Sequence, residues 1–310
     1  MILTVTLNPA VDKSYHVDKM TLGEVVRVKE CKSTAGGKGI NVAKVANLLG
    51  EKVIATGFTG GHTGDFINSF LTNAGIKTSF ITIESDTRTC INIDDNTNGK
   101  QTELLEPGAF ISQEKQDEFI SHFKELLKEC DIIAISGSVP AGIDENYYPK
   151  LIELAKKAGR KVILDTSGKL LKAGINACPH IIKPNRDEMI DYIGRDIKTK
   201  EEIIEAATEI RAKGLETVIV SLGKDGAIFV TADGVYQGIT PDIKIVNTVA
   251  CGDSLVAGFA TGISRNLPIK EAIKLAMAVS TANALRKETG FFIKEDLDKL
   301  LTMVEAVKLR

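Results

Sequence analysis

The residues Ile245-Val-Asn-Thr-Val-Ala-Cys-Gly-Asp-Ser-Leu-Val-Ala-Gly-Phe259 organise this chain, because a strand-like apolar run ends in small residues and an aspartate opens an apolar helix. Small side chains at Ala250, Cys251 and Gly252 let a ligand approach main-chain N–H groups that have no partner at a helix start, which favours an anion. Asp253 falls in the first helical turn, where the helix dipole is expected to keep its carboxylate ionised and able to act as a base. If the motif stands alone, a helix cap with close packing is the favoured explanation of the same residues.

A second glycine-rich segment, Thr34-Ala-Gly-Gly-Lys-Gly-Ile-Asn41, opens another apolar helix. It is not a Walker A motif, because Ile40 stands where that motif needs serine or threonine. Its glycines still allow close approach to the main chain, and Lys38 and Asn41 offer a charge and an amide at the helix start. The alternative for this segment is a flexible turn.

Strand and helix patterns alternate along the chain, which predicts parallel strands joined by crossover helices in a doubly wound α/β sheet. Ligands bind such sheets where the carboxyl ends of the strands meet the helix starts. Polar clusters follow several predicted strands: Ser136-Gly-Ser138, Asp165-Thr-Ser-Gly168, Lys183-Pro-Asn185 with Glu188, and Ser221-Leu-Gly223 with Gly226. Together these clusters predict one site at that edge of the sheet.

Asn185 and Glu188 lie three residues apart at a predicted helix start, so both side chains can face one point. A hydrated magnesium ion held together with phosphate oxygens needs such a pair of oxygen ligands. The alternative is again a helix cap, in which the two side chains serve only the main chain of their own helix.

Composition excludes several classes of protein. The 310 residues include 43% hydrophobic and 26% charged residues, with 39 basic against 41 acidic side chains, so neither disorder nor nucleic-acid binding is indicated. No apolar run reaches the roughly 18 residues of a membrane helix, and no signal-peptide pattern begins the chain, which predicts a cytoplasmic protein without a membrane partner. The five cysteines show neither zinc-site spacing nor a disulfide framework.

Two signatures resemble the ribokinase-type carbohydrate kinases over essentially the whole chain. The first is the Gly36-Gly37 loop with Asn41 and Ala43, followed by Gly50, Gly57, Gly60, Gly61 and Asp65, and the second is Asn247-Thr-Val-Ala-Cys-Gly-Asp253 with Ala257-Gly258. Two such signatures in one chain are far more specific than either glycine-rich loop alone.

The resemblance implies a three-layer α/β/α fold in a single kinase domain, residues 1–310, with a small β-lid formed by segments 12–33 and 87–106. It implies ATP and Mg²⁺, with Asp253 as the base and the N–H groups of Ala250, Cys251 and Gly252 around the developing charge. The sugar would contact Asp12, Gly36, Gly37, Lys38 and Asn41. The nucleotide and magnesium would contact Lys183, Asn185, Glu188, Ser221, Gly223, Gly226, Gly252 and Asn283. A homodimer through the lid is a further expectation from the family.

Within the family, Thr6-Leu-Asn-Pro-Ala-Val-Asp12, Thr87-Arg88 and Ser136-Gly-Ser138 resemble the phosphosugar kinase branch. Ser138 is then expected at the sugar, and Lys38, Arg88 and Arg27 are the cations expected at the sugar's own phosphate. Some segments are similar to tagatose-6-phosphate kinases and others to 1-phosphofructokinases, and both reactions give a ketohexose 1,6-bisphosphate. The alternatives are a kinase for an unphosphorylated sugar or nucleoside, and a sugar-phosphate-binding regulator without catalysis. Cys251 departs from the small residue, such as alanine, that is usual in the family at that position.

Overall fold

The computed structural model describes all 310 residues. The strands are β1 Ile2–Thr6, β2 Ala10–Val17, β3 Glu30–Gly36, β4 Val53–Gly60, β5 Lys77–Thr78, β6 Ile81–Ile83, β7 Thr89–Asp95, β8 Lys100–Leu105, β9 Ile132–Ser136, β10 Lys161–Asp165, β11 Ile181–Ile182, β12 Thr217–Ser221, β13 Ala227–Thr231, β14 Gly234–Ile239 and β15 Glu305–Lys308. The helices are α1 Lys38–Leu48, α2 Gly61–Asn73, α3 Gln113–Leu126, α4 Tyr147–Lys157, α5 Gly168–Asn176, α6 Arg186–Ile193, α7 Lys200–Arg211, α8 Cys251–Ser264, α9 Ile269–Ala284 and α10 Lys294–Leu301, with a 3₁₀ turn at Gly223–Asp225.

The main sheet has 11 strands in the order β15-β14-β13-β12-β11-β10-β9-β1-β4-β5, with β6 also beside β4. Neighbours from β12 through to β5 and β6 run parallel, and β13, β14 and β15 are added antiparallel at one edge. β1 lies inside the sheet and is buried along its whole length, as a run of β-branched and aliphatic residues in a parallel sheet should be. The predicted doubly wound, mostly parallel α/β sheet is confirmed.

Helices cover both faces of this sheet, which gives three layers. Along β1, Leu3 and Val5 pack into a core with α3 to α7, while Ile2 packs into the core under α1, α2, α8 and α9. α8 and α9 approach so closely that a side chain at Gly258 would stand 2.7 Å from the Cα of Ala276. This close approach packs the middle of α8 directly against α9.

The stretch before α8 differs from the prediction. Residues 245–249 form no strand, and Ile245 and Val246 are about half exposed. The N–H groups of Val246 and Asn247 donate to the carbonyl of Ala284 at the end of α9, at 2.8 and 3.2 Å. A β-branched run forms a strand only when it can pair with another strand. Here the N–H groups bond to the end of a helix, so no strand forms. Helices α5 and α10 and strand β15 were not predicted.

Four strands outside the main sheet form a second sheet in the order β3-β2-β7-β8. Its strands begin at Ala10 and end at Gly36 and Leu105, so they occupy most of the two segments expected to form a lid. β2 pairs antiparallel with β3 and parallel with β7. None of the helices in the structure combines the length and apolar character needed to cross a membrane.

Candidate active site

Two cavities lie next to each other at the carboxyl ends of the parallel strands. The first, of about 610 Å³, is bounded by the ends of β1, β9 and β10, by the start of α8 and by the small sheet. The second, of about 650 Å³, lies between the 3₁₀ turn, the loop before α8 and the side of α9. Asn185, Ser221 and Gly252 line both cavities, so the two spaces meet at the first turn of α8.

Most of the predicted site residues line these cavities. Those around the first cavity are Asp12, Gly37, Lys38, Asn41, Arg88, Ser138, Lys183, Asn185, Glu188, Ser221, Ala250, Gly252 and Asp253. Those around the second are Asn185, Ser221, Gly223, Gly226, Cys251 and Gly252. Lys183, expected on the nucleotide side, lies in the first cavity near the junction.

Three predicted residues line neither cavity, and one of them, Gly36, is described below. Arg27 is exposed in the loop between β2 and β3 and lines neither cavity. Asn283, predicted at the nucleotide, is fully buried: its amide donates to the carbonyl of Val249 at 2.8 Å, and its oxygen accepts from the N–H of Gly290 at 2.9 Å. Asn283 therefore ties α9 to the two loops behind the site and offers no group to a nucleotide.

The start of α8 presents free N–H groups to the first cavity. Ala250 adopts a left-handed conformation with φ of 61°, which is unusual for a residue other than glycine. This turn lets the N–H of Cys251 donate to the carbonyl of Thr248 at 3.2 Å, so that group is already used, unlike the prediction. The N–H groups of Ala250 and Gly252 have no acceptor in the chain and remain available to an anion.

Asp253 is buried in the first turn of α8, and its Oδ2 accepts a hydrogen bond from the Asn41 amide at 2.9 Å. Burial and the nearby carboxylate of Asp165 raise the pKa of Asp253 to about 6, against the opposing effects of Lys38, Asn41 and Lys183. Burial therefore opposes the effect of the helix start on this carboxylate, a contribution that its position in the helix alone does not indicate. A carboxylate of this pKa is largely ionised at neutral pH and basic enough to accept a proton.

Asp165 joins two lysines at the floor of the first cavity. Its Oδ1 lies 3.2 Å from Nζ of Lys38 and 3.4 Å from Nζ of Lys183, and its side chain is 1% exposed. Burial disfavours the charge of Lys38, but Asp165, Asp253 and Glu188 outweigh it and raise the pKa of Lys38. Sequence analysis placed Asp165 only in a polar cluster after a strand and missed its role in holding both cations.

Asn185 and Glu188 form a capping box at the start of α6. The Asn185 oxygen accepts from the N–H of Glu188, and the Glu188 carboxylate accepts from the N–H of Asn185, each at 2.8 Å. The cap and the oxygen-ligand interpretation are compatible, because both side chains also line the first cavity and one Glu188 oxygen has no partner in the chain. No three acidic, histidine or cysteine side chains cluster as a metal site, so an ion held here needs water or phosphate oxygens as further ligands.

The small sheet turns a polar face towards the first cavity. Asp12 and Ser14 on β2 lie opposite Cys90 and Asn92 on β7, and Asn92 lies opposite Glu103 on β8. Sequence analysis missed Ser14, Asn92 and Glu103, although the alternation of side chains along β2 from Asp12 could have indicated Ser14. Burial raises the pKa of Asp12 to about 6, against the attraction of Lys44 and Arg88.

Arg88 lines the first cavity, but its guanidinium is partly engaged. It donates to the main-chain carbonyls of Asn8 at 3.0 Å, Pro9 at 3.4 Å and Glu106 at 2.9 Å. An arginine has five N–H groups, so these three bonds leave two for a ligand. The contacts with the three carbonyls hold the guanidinium in place, and with it the two free N–H groups.

Gly36 does not line a cavity, but it determines where Asp12 stands. A side chain at Gly36 would place its Cβ 1.8 Å from Oδ2 of Asp12. We expect Gly36→Ala to displace that carboxylate and to raise the KM for the phosphate acceptor at least about 10-fold, with the KM for the nucleotide within about twofold. Steady-state kinetics with each substrate varied in turn measures both. An unchanged acceptor KM would show that Asp12 does not contact the acceptor.

Cys251 lies on the wall of the second cavity. Its Sγ is 3.4 Å from the amide nitrogen of Asn283, and burial raises the pKa of the thiol. The thiol is therefore mostly protonated at neutral pH and a poor nucleophile.

Comparison with known proteins identifies the family. The model of the pfkB family carbohydrate kinases matches residues 5–296. A tagatose-6-phosphate kinase of Staphylococcus epidermidis is 40% identical over 315 aligned positions that cover 100% of both chains. The "possible 1-phosphofructokinase" of Thermotoga maritima is 28% identical with a TM-score of 0.90 over 100% of both chains.

Phosphofructokinase-2 of Escherichia coli in complex with fructose-6-phosphate is 27% identical with a TM-score of 0.89, over 97% of this chain and 98% of that one. These matches extend along the whole main sheet and both signature segments, so the resemblance inferred from the sequence is confirmed. The chain belongs to the pfkB family of carbohydrate kinases and is a phosphotransferase with an alcohol group as acceptor.

Proposed function

We propose that this protein transfers the γ-phosphoryl group of ATP to a hydroxyl group of a ketohexose phosphate. The observation that supports this most strongly is the buried Asp253 carboxylate beside free N–H groups, at the junction of two cavities. Phosphoryl transfer needs an acceptor and a donor that meet end to end, with a base at the acceptor oxygen and positive charge around the phosphoryl group. The junction of the two cavities provides the base and the positive charge.

In this proposal the acceptor hydroxyl lies against the free Oδ1 of Asp253 and attacks the γ-phosphorus. The new P–O bond forms as the bond to the leaving ADP oxygen breaks, and the hydroxyl proton passes to Asp253. Lys183 and Lys38 lie beside this point, together with the N–H groups of Ala250 and Gly252, and offset the negative charge that collects on the moving group.

The second cavity is proposed to hold the nucleotide. A side chain at Gly223 would meet no other atom within 4 Å, so the main chain is open to a ligand there, and Leu255 and Met277 add apolar surface for a base. Gly226 follows the 3₁₀ turn and allows close packing against the carbonyl of Gly238. Asn185 and Glu188 supply amide and carboxylate oxygens that fit a partly hydrated magnesium ion at the junction. Such an ion would neutralise phosphate charge and orient the phosphates.

Among ketohexose phosphates we propose tagatose-6-phosphate as the preferred acceptor, because the tagatose-6-phosphate kinase of Staphylococcus epidermidis is similar over its full length. Fructose-1-phosphate and fructose-6-phosphate are the alternatives, given the names of the structural neighbours. The free N–H pair of Arg88 supports a phosphorylated acceptor rather than a neutral sugar.

The test is a coupled assay of ADP release by the purified protein with Mg-ATP and each sugar phosphate in turn, and with the unphosphorylated sugars and a nucleoside. We expect the highest kcat/KM with tagatose-6-phosphate. A higher value with fructose-1-phosphate or fructose-6-phosphate would reassign the substrate within the proposal. Turnover only with an unphosphorylated sugar or nucleoside, or none at all, would reject it.

The pKa of Asp253 predicts the acid limb of the pH profile. Because the base must be ionised and its pKa in the free protein is raised to about 6, kcat/KM for the acceptor should fall as pH decreases through about 6. Asp12 has a similar pKa, so the profile of Asp12→Asn separates the two groups. The limb near pH 6 should persist in that variant. If it disappears, Asp12 rather than Asp253 controls the rate.

We also propose that the small sheet acts as a lid and joins two copies of the chain. Its outer strand β8 is exposed along its whole length, and Leu22 and Val25 in the β2–β3 loop are each 89% exposed. Unpaired edge strands and exposed apolar side chains each favour association. Sedimentation velocity that finds only monomer at micromolar concentration would reject the dimer. The cytoplasmic location stays a prediction from the sequence.

A further inference from the structure

Lys44 is a buried lysine on α1 that the proposed chemistry does not use. It is 9% exposed, and its Nζ donates to the carbonyl of Thr289 at 2.6 Å, to Oδ1 of Asn41 at 3.3 Å and to the carbonyl of Ala35 at 3.4 Å. None of these partners is a carboxylate. Burying an ammonium group without a direct ion pair costs free energy, so a role for this residue has to be sought beyond packing.

Lys44 fixes the orientation of the Asn41 amide. An ammonium group can only donate hydrogen bonds and an ionised carboxylate can only accept them, and Asn41 lies between the two. Its Oδ1 faces Nζ of Lys44, and its Nδ2 faces Oδ2 of Asp253 at 2.9 Å. A flipped amide would set its oxygen against the carboxylate and its NH₂ against the ammonium, so only one orientation satisfies both neighbours.

We infer that Lys44 is a positioning residue for Asp253 and acts through Asn41. By holding the Asn41 oxygen, it directs the amide N–H onto Oδ2 of Asp253 and leaves Oδ1 of that carboxylate for the acceptor hydroxyl. The contacts to Ala35 and Thr289 anchor the ammonium group at the end of β3 and in the loop after α9. The inference rests on the proposed function, in which Asp253 is the base.

The charge of Lys44 also acts on the site. Around its Nζ stand Asp12 on β2, Asp253 on α8 and Lys32 on β3, and burial lowers its pKa to about 8. Lys44 is therefore mostly protonated at neutral pH, where its charge favours the ionised form of Asp253.

The groups that act directly on Asp253 are Asp165 on β10, Lys38 on α1, Asn41 on α1 and Lys183 after β11. Lys44 adds a positive charge near Asp253, so its removal should move the acid limb of kcat/KM for the acceptor to higher pH while these four groups stay in place.

The test is a double-mutant cycle on kcat between Lys44→Met and Asn41→Ala in the full chain. We expect Lys44→Met alone to lower kcat about 10- to 100-fold, as loss of orientation of a reacting group does, with the KM for ATP within about twofold. In the Asn41→Ala background the same change should cost less than about twofold, because its route of action is gone. Lys44→Arg, which keeps donors and charge, should restore most of kcat and the acid limb, and the exposed Lys52→Met should match wild type.

An equal loss from Lys44→Met in both backgrounds would overturn the inference, since Lys44 would then act independently of Asn41. An unshifted acid limb in Lys44→Met would also overturn it. If thermal melting shows that Lys44→Met does not fold, Lys44→Gln takes its place in the same cycle. Should Asp253→Asn keep wild-type kcat, the proposed base itself is wrong, and that outcome identifies a failure of the proposed function.

Discussion

Replacing Asp253 with asparagine is expected to lower kcat by about 10³-fold, within the range that a general base contributes. Asparagine keeps the size of the side chain, but it cannot accept the hydroxyl proton. The Asn41 amide would also lose its charged acceptor at 2.9 Å. Nucleotide affinity should change little, because Asp253 lines the first cavity and not the second.

Rapid-quench or coupled kinetics measures the loss of kcat, and calorimetry with a non-hydrolysable ATP analogue measures nucleotide binding. Glu114→Gln is the matched control, because Glu114 is also an acidic residue in a first helical turn but is exposed on α3, far along the chain from the site. It should keep wild-type kcat. If Asp253→Asn retained a tenth of wild-type activity, another group would have to accept the proton.

The sequence predicted the site well where position depends on strand ends and helix starts. Asn41 and Asp253 lie in the first turns of α1 and α8, and the alternation of strands with helices brings these helix starts to one edge of the sheet, whereas Asp12 lies within β2 of the small sheet. The glycine spacing around Gly36 and Gly252 indicated where a ligand meets the main chain, a property that is local to the sequence.

Other features depend on contacts that no local pattern contains. The pairing of Asp165 with two lysines requires β10, β11 and α1 to meet, and sequence spacing does not show which cation an acidic side chain reaches. Asn283 is a polar residue on α9 that was predicted to contact the nucleotide, but the loops packed against it bury its side chain completely. The burial that raises the pKa of Asp253 was not predicted for the same reason, because it is set by the whole site, whereas the helix dipole belongs to one helix alone.

Asp165→Asn is expected to lower the free energy of unfolding by about 3 kcal/mol, the scale for breaking a buried ion pair on one side. The substitution creates no cavity, because the two side chains have nearly the same volume. It leaves the ammonium group of Lys183, which is 5% exposed, without its direct ion-pair partner. Lys38 is 39% exposed and can turn towards solvent, so most of the loss should come from Lys183. Urea denaturation measures the change in the free energy of unfolding.

Asp131→Asn is the matched control for that experiment, since Asp131 also contacts two cations, the N-terminal amine at 3.0 Å and Arg160 at 3.4 Å, but is 70% exposed. Solvent screening should keep its effect below about 1 kcal/mol. If Asp165→Asn lowers the free energy of unfolding no more than Asp131→Asn does, the buried lysines find other partners. Because Asp165 raises the pKa of Asp253, its neutral replacement should also move the acid limb of kcat/KM for the acceptor below pH 6. General instability would lower the amount of active protein at every pH, whereas the loss of a neighbouring charge shifts the acid limb of the pH profile. Urea denaturation and the pH profile therefore separate the structural role of Asp165 from its electrostatic role.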